Sequence, residues 1–247
     1  MNKVKIGIIT NGTNVDKYTY SLAKRLKNNK KNFDFNHFIS IPREDKSYKK
    51  NKVLKKFFFK IIIFFENLIL KFSKNHNNHL NKFNIKKIVK KEIKIKNLKK
   101  NKLKISDDYN IKKEKFDILI RSCSNILNND FFKVSKFGII SFHHGDYKKF
   151  RGSPAGFWEV LYQEKNTGFM IQILKPNLDY GKIILEGFFQ TKSFFLLNQA
   201  ELYEKSNFYL EKVLLDFSKK RKFFFLKKKK KGKIYEIPKI INQIKYT

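Results

Sequence analysis

The segment best equipped for chemistry is Ser141-Phe142-His143-His144-Gly145-Asp146. It follows Gly138-Ile139-Ile140, an apolar β-branched run that reads as a buried strand, and it turns polar where that strand should end. In α/β sheets, ligands bind in the crevice outside the carboxyl ends of the strands. Two imidazoles there titrate near neutral pH and can give or take protons, with Asp146 beside them. The alternative is that the pair merely caps the next element. His76 and His79 have a spacing that lets one helix face hold a metal. No third ligand lies near them, however, and their Asn/Lys-rich surroundings read as a solvated loop, so no metal is expected.

The elements that must position this segment read as an α/β chain. Val4 to Ile9 is a first strand, Thr10 to Thr13 a small-residue turn, and Asp16 the N-cap of a helix to about Asn28. Phe33 to Ile41 forms a second strand, ended by Pro42. From Leu54 to Phe72, apolar residues fall at 54, 58, 61, 65, 68 and 72, the spacing of an amphipathic helix. Lys60, Glu66 and Asn67 interrupt it, so it is not a spanning run. It reads as a helix facing the core or an oligomer partner; a sharper reading lays it on a membrane surface with its lysines at the headgroups. Residues 73–104 read as an exposed, poorly specified insertion around one strand near Ile93–Ile95. Order returns with a strand at Asp117–Ile120 and a helix-like Asn129–Ser135. A helix is expected over Ser153–Glu164, with Ser153 as N-cap and Pro154 in its first turn. Strands follow at Thr167–Leu174 and Lys182–Gln190, then a closing helix at Gln199–Lys219 and a lysine-rich tail, 219–232, that is frayed or surface-bound. The expected organisation is one α/β domain over 1–195, with the basic insertion at about 43–110, and a C-terminal helix and tail over 196–247.

The formal charge of +35 suggests nucleic acid or an anionic membrane. Yet the chain has 51 lysines against 5 arginines, together with 25 asparagines and 27 phenylalanines. Lys, Asn, Phe, Ile and Tyr share AT-rich codons, and surfaces dedicated to nucleic acid favour the planar fork of arginine. Composition bias therefore explains the charge better than selection for a polyanion, although anionic ligands should still be drawn to the chain. A single cysteine excludes an internal disulfide and fits a reducing, cytoplasmic compartment. The short apolar run Ile6–Ile9 is too brief for a signal peptide.

The ordered series Ser141-x-His143, Phe150-Arg151-Gly152, Trp158, Thr167-Gly168 and Leu178-Asp179-x-Gly181 resembles the catalytic core of the folate-dependent formyltransferases. That family includes methionyl-tRNA, glycinamide ribonucleotide and amino-sugar formyltransferases. Phe116–Ile120, with Asn125-Ile126-Leu127 behind it, is similar to the family's preceding strand and folate-contacting turn. The match is close over about 75 residues, and residues 1–42 agree only in general pattern. The resemblance implies a Rossmann-like core with a mainly parallel sheet flanked by helices. The implied donor is 10-formyltetrahydrofolate, with no metal, and the acceptor a primary amine.

Amine attack makes the formyl carbon tetrahedral and places negative charge on its oxygen, so a hydrogen-bond donor must wait there. The resemblance assigns that role and the amine proton to His143, with Asp179 holding its imidazole or a proton-relaying water. It implies that Asn125, Ile126 and Leu127 contact the pteridine through backbone groups, and that a loop bearing Pro176 and Asn177 closes over it. Arg151 and Asp146 are candidates for the acceptor side. Trp158 reads as core packing, and Cys123, with no base adjacent, as pocket wall rather than nucleophile. One departure stands out: Ser141 occupies the position where the family places asparagine. Losing an oxyanion donor costs on the order of a hundred- to a thousandfold in rate. Either Ser141 acts through a water, or His144 supplies the donor, or activity is weak. Only 57 residues follow Gln190, which favours a small acceptor such as a nucleotide-linked amino sugar over tRNA. Competing readings are a formyl-folate hydrolase and a non-catalytic basic protein that binds nucleic acid or a membrane surface.

Overall fold

A computed structural model describes residues 2–43, 51–72, 78–96, 105–127, 129–175, 181–227 and 230–246. The chain opens with β1 (Val4–Asn11), a short β2 (Asn14–Asp16) and helix α1 (Lys17–Asn28). Asp16 caps α1 by accepting from the backbone N–H groups of Tyr18 and Thr19 at 3.0 and 2.8 Å. β3 (Phe33–Ile41), α2 (Asn51–Lys71), β4 (Lys82–Asn84) and β5 (Lys91–Lys94) follow. Next come α3 (Ile105–Lys112), β6 (Ile118–Ser122), a 3₁₀ turn over Asn129–Lys133, β7 (Ile139–His144) and β8 (Phe150–Gly152). The chain continues through α4 (Phe157–Leu161), β9 (Asn166–Ile173), β10 (Lys182–Gln190), α5 (Phe195–Lys220), β11 (Lys233–Tyr235) and α6 (Ile240–Ile244).

Among the described residues, seven strands form one sheet in the order β10-β9-β7-β6-β1-β3-β5. β7, β6, β1, β3 and β5 run parallel, and β9 and β10 join antiparallel at one edge. This is the expected α/β class. The parallel strands are apolar on both faces because helices cover both. On one face Ile6, Ile8, Ile118 and Ile120 meet Leu22 and Leu26 of α1 and Leu210, Leu214 and Phe217 of α5. On the other, Ile9, Ile39, Leu119 and Ile139 pack on Ile111, Phe131 and Val134. The C-terminal helix thus shares the core of the sheet. So does part of the stretch expected to be exposed: Ile85, Val89 and Ile95 are buried, and β5 completes the sheet edge. Isolated apolar residues among lysines are enough when each points into a preformed core.

Helix α2 exists as expected, but turned over. The stripe 58, 61, 65, 68 and 72 is exposed, while Phe59, Ile62, Glu66 and Leu70 are buried against Phe157, Trp158 and Phe195. Apolar residues surround most of this helix, so periodicity could not choose a face. Glu66 chooses it. Helix α5 has Phe194 at its N-cap, with no side-chain cap of its own, and the buried Glu66 carboxylate accepts from Phe195 and Leu196 N–H at 2.9 and 2.5 Å. It also accepts from the Tyr246 hydroxyl. Phe195 N–H also donates to the Tyr246 hydroxyl oxygen at 2.6 Å, so replacing Glu66 with alanine strips the Leu196 N–H and the Tyr246 hydroxyl of this acceptor, and should lower stability by about 2 kcal/mol in urea denaturation.

The helix expected over 153–164 is shorter. It starts at Phe157, after Gly156 at φ 81°, and Ser153 does not cap it. The Gly156 carbonyl turns instead to Asn198 Nδ2 at 2.8 Å. The tail is tied down rather than frayed. Phe223 stacks on Phe217 at 4.4 Å, Leu226 N donates to Ile183 O at 2.8 Å, and Gly232 N to Tyr147 O at 2.9 Å. β11 then pairs in parallel with β8. Only glycine fits at 232, where a Cβ would come within 2.6 Å of the Lys148 and Lys149 carbonyl oxygens.

Candidate active site

A cleft of about 760 Å³ opens at the carboxyl ends of β1, β3, β6 and β7. Asn11, Pro42, Arg43, Arg121, Ser141 and His144 line it, with Tyr18 and Tyr203 from the helices. Strand alternation decides which side chains share a face. β6 and β7 pair with Ile120 opposite Ile140, so Arg121 stands beside Ser141. Arg121 Nη1 lies 3.3 Å from Ser141 Oγ, while its Nε and Nη2 donate to the Asn125 carbonyl at 3.0 and 2.8 Å. Sequence reasoning missed this arginine because the apolar run it terminates gave no register for the neighbouring strand.

Ser141 and His143 share one face of β7, and His144 takes the other. His143 Nε2 is 3.4 Å from the Phe150 carbonyl. The His144 ring stacks on Phe142 at 5.2 Å and meets Tyr203 edge-on at 4.6 Å. Burial, assisted by the neighbouring His143, lowers the His144 pKa to about 3, so its imidazole is neutral at working pH. The two histidines that are adjacent in sequence are therefore divided between a polar face and an aromatic one. His79, expected to be solvated, is buried: Nδ1 lies 3.1 Å from Tyr18 Oη and Nε2 3.0 Å from Gln199 Oε1. It links the segment after α2 to α1 and α5 at the cleft wall. His76 lies outside the described residues.

The turn after β6 is fixed from several sides. Asn125 is buried, accepting from Asn11 Nδ2 at 2.7 Å and donating to the Pro42 carbonyl at 3.2 Å. Asn11 Oδ1 in turn accepts from Ser124 N at 2.7 Å. Leu127 is buried in the core, and Ile126 is half-exposed. Among the described residues the peptide groups of Ile126 and Leu127 make no backbone hydrogen bond, and the cleft lining includes Ser122, Cys123 and Ser124 rather than 125–127. Cys123 lies against the same core, and burial raises its pKa, which disfavours the thiolate. Pro176, Asn177 and Asp179 lie outside the described residues.

The loop after His144 is held by its own backbone. Asp146 Oδ1 accepts from Lys148 N at 3.0 Å. Arg151 Nη1 donates to the Gly232 carbonyl at 3.3 Å, beside the β8–β11 pair. Trp158 is buried among Tyr162, Tyr235 and Phe157, as core packing requires. Under this loop the buried Glu159 accepts from Asp146 N at 3.2 Å, and burial pushes its pKa up to about 7. A raised carboxyl pKa stabilises the fold fully below the unfolded value near 4.5, and that contribution disappears as pH rises through 7. Stability should therefore fall by about 3 kcal/mol across that window, and Glu159→Gln should flatten the profile in urea titrations at each pH.

Among the described residues, no group of three or more His, Cys, Asp or Glu is placed to hold a metal ion, and no helix is long and apolar enough to cross a membrane.

No family model and no curated protein matches the chain. Solved structures do match. A phosphoribosylglycinamide formyltransferase from Anaplasma phagocytophilum superposes with a TM-score of 0.60 at 13% identity, over 94% of this chain and 98% of that one. A sugar N-formyltransferase from Shewanella sp FDAARGOS_354 gives 0.54 at 15% identity, over 94% and 76%. The methionyl-tRNA formyltransferase from Clostridium thermocellum gives 0.51 at 12% identity, over 98% and 82%. At these identities the likeness establishes the fold. The chain has the α/β fold that those formyltransferases share, with its cleft at the carboxyl ends of the parallel strands.

Proposed function

We propose that the chain is a formyltransferase that moves a formyl group from 10-formyltetrahydrofolate to a primary amine of a small anionic acceptor. The observation that carries this reading is Ser141 and His143 on one face of β7, on a formyltransferase fold, with the Arg121 guanidinium against the serine hydroxyl. Bound at the 125–127 turn, 10-formyltetrahydrofolate supplies the activated formyl group. His143 takes the amine proton. Ser141 and Arg121 present donors to the oxygen that gains charge, and the arginine does so as a cation. The resemblance gives Asp179 the task of orienting the histidine. The fixed contacts of Asn11, Asn125 and Pro42 keep the turn from rearranging during turnover. Arg43 and Lys82 join Arg121 along the cleft, favouring an acceptor with phosphate groups such as a nucleotide-linked amino sugar.

The experiment is to offer 10-formyltetrahydrofolate with a panel of amines: nucleotide-linked amino sugars, glycinamide ribonucleotide and methionyl-tRNA. Release of tetrahydrofolate is followed by absorbance and formylation by mass. Amine-dependent release with one acceptor is expected. Failure to bind a folate analogue, together with no release on any amine, would overturn the reading. Release without amine would make the protein a hydrolase.

A further inference from the structure

At 100° per residue, α2 divides into three strips. Phe59, Ile62, Glu66 and Leu70 face the core. Lys60, Asn67 and Lys71 form the second strip. The third is apolar and bare: Phe57, Phe64, Phe65, Ile69 and Phe72 are 58, 60, 60, 43 and 89% exposed. Helix α6 packs beside α2 and itself exposes Ile241 and Ile244, at 58 and 64%. Contiguous bare apolar surface of this kind marks an interaction site.

Charge selects the partner. The single acid between 51 and 72 is Glu66, which is buried and engaged with the first N–H groups of α5. The exposed part of α2 therefore carries no acid and is apolar or cationic apart from Asn67. A symmetric pairing of two copies through this face would set each lysine strip near its twin, in chains of +35 each. An anionic bilayer suits both strips. Phenylalanine and isoleucine side chains enter the acyl boundary, and lysines beside them reach lipid phosphates.

We propose that α2, with α6 at its side, docks the protein in the plane of an anionic membrane surface. The inference rests on the exposed face alone and is independent of the proposed activity. Because so basic a chain will adhere electrostatically to any anionic vesicle, the test must read insertion. Full-length protein carrying Phe64→Trp is mixed with phosphatidylglycerol/phosphatidylcholine vesicles containing brominated lipid. The introduced indole should shift to the blue and be quenched, while the buried Trp158 of the parent protein is not. Binding should persist at about 0.5 M salt, where surface charge is screened, and weaken roughly tenfold in Phe64→Ser/Phe65→Ser. Both side chains are exposed, so unchanged circular dichroism and melting temperature will confirm that the variant folds. The proposal fails if the indole is not quenched. It also fails if sedimentation reveals a dimer that the double serine variant abolishes, which would make this face an interface between copies.

Discussion

His143→Ala is expected to lower the rate of amine formylation by about three orders of magnitude, the range for losing a positioned general base. The side chain is half-buried at the end of β7, and its ring nitrogen approaches the Phe150 carbonyl only at 3.4 Å. Removing it creates no large cavity in the core, so thermal unfolding should hardly move. Affinity for a folate analogue should also persist, because the 125–127 turn is built by Asn11, Pro42 and Arg121. The informative pattern is a fall in kcat with little change in KM for the donor. An unaltered kcat would remove His143 from the chemistry.

The second large effect belongs to Arg121. Arg121→Ala withdraws the cation beside Ser141 and both bonds to the Asn125 carbonyl, and should cost on the order of a hundred- to a thousandfold in kcat. Arg121→Lys keeps the charge but not the forked geometry, and should recover only part of the loss. Ser141→Asn, which restores the amide that the resembling family carries, should partly rescue Arg121→Ala while changing the parent protein little. Such rescue distinguishes a shared role in holding the oxygen from a merely structural one. Equal losses in the single and double variants would instead assign Arg121 to the support of the turn.

The sheet was legible wherever local signals agreed. β1, α1 with its Asp16 cap, β3, β9 and β10 fall where apolar runs, turn residues and the capping aspartate place them. The apolar run marked the start of β7, but not its end: the strand continues through His144, so Ser141 lies within it and both histidines pair with β9. What failed needed information from distant residues. The face α2 buries depends on Glu66 meeting α5, 129 residues later. The burial of His79 depends on Tyr18 and Gln199. Arg121 became visible only through the register of two parallel strands, which the intervening chain sets and no local pattern records. Lysine-rich composition hid the tail, since Phe223 and Gly232 find their places only against Phe217 and Tyr147.

The pairing of β8 with β11 bears on when the site can form. Phe150 and Lys233 are ladder partners separated by 83 positions in sequence. On a ribosome, β8, in the segment that follows β7, waits for its neighbouring strand until residues 233–235 have emerged. The face of the sheet packed on Ile111, Phe131 and Val134 can close earlier, whereas the opposite face needs α5. Folding should therefore be polarised in time, with an early scaffold and a late latch on the segment after β7, and closing the intervening loop is the slow, entropically costly part.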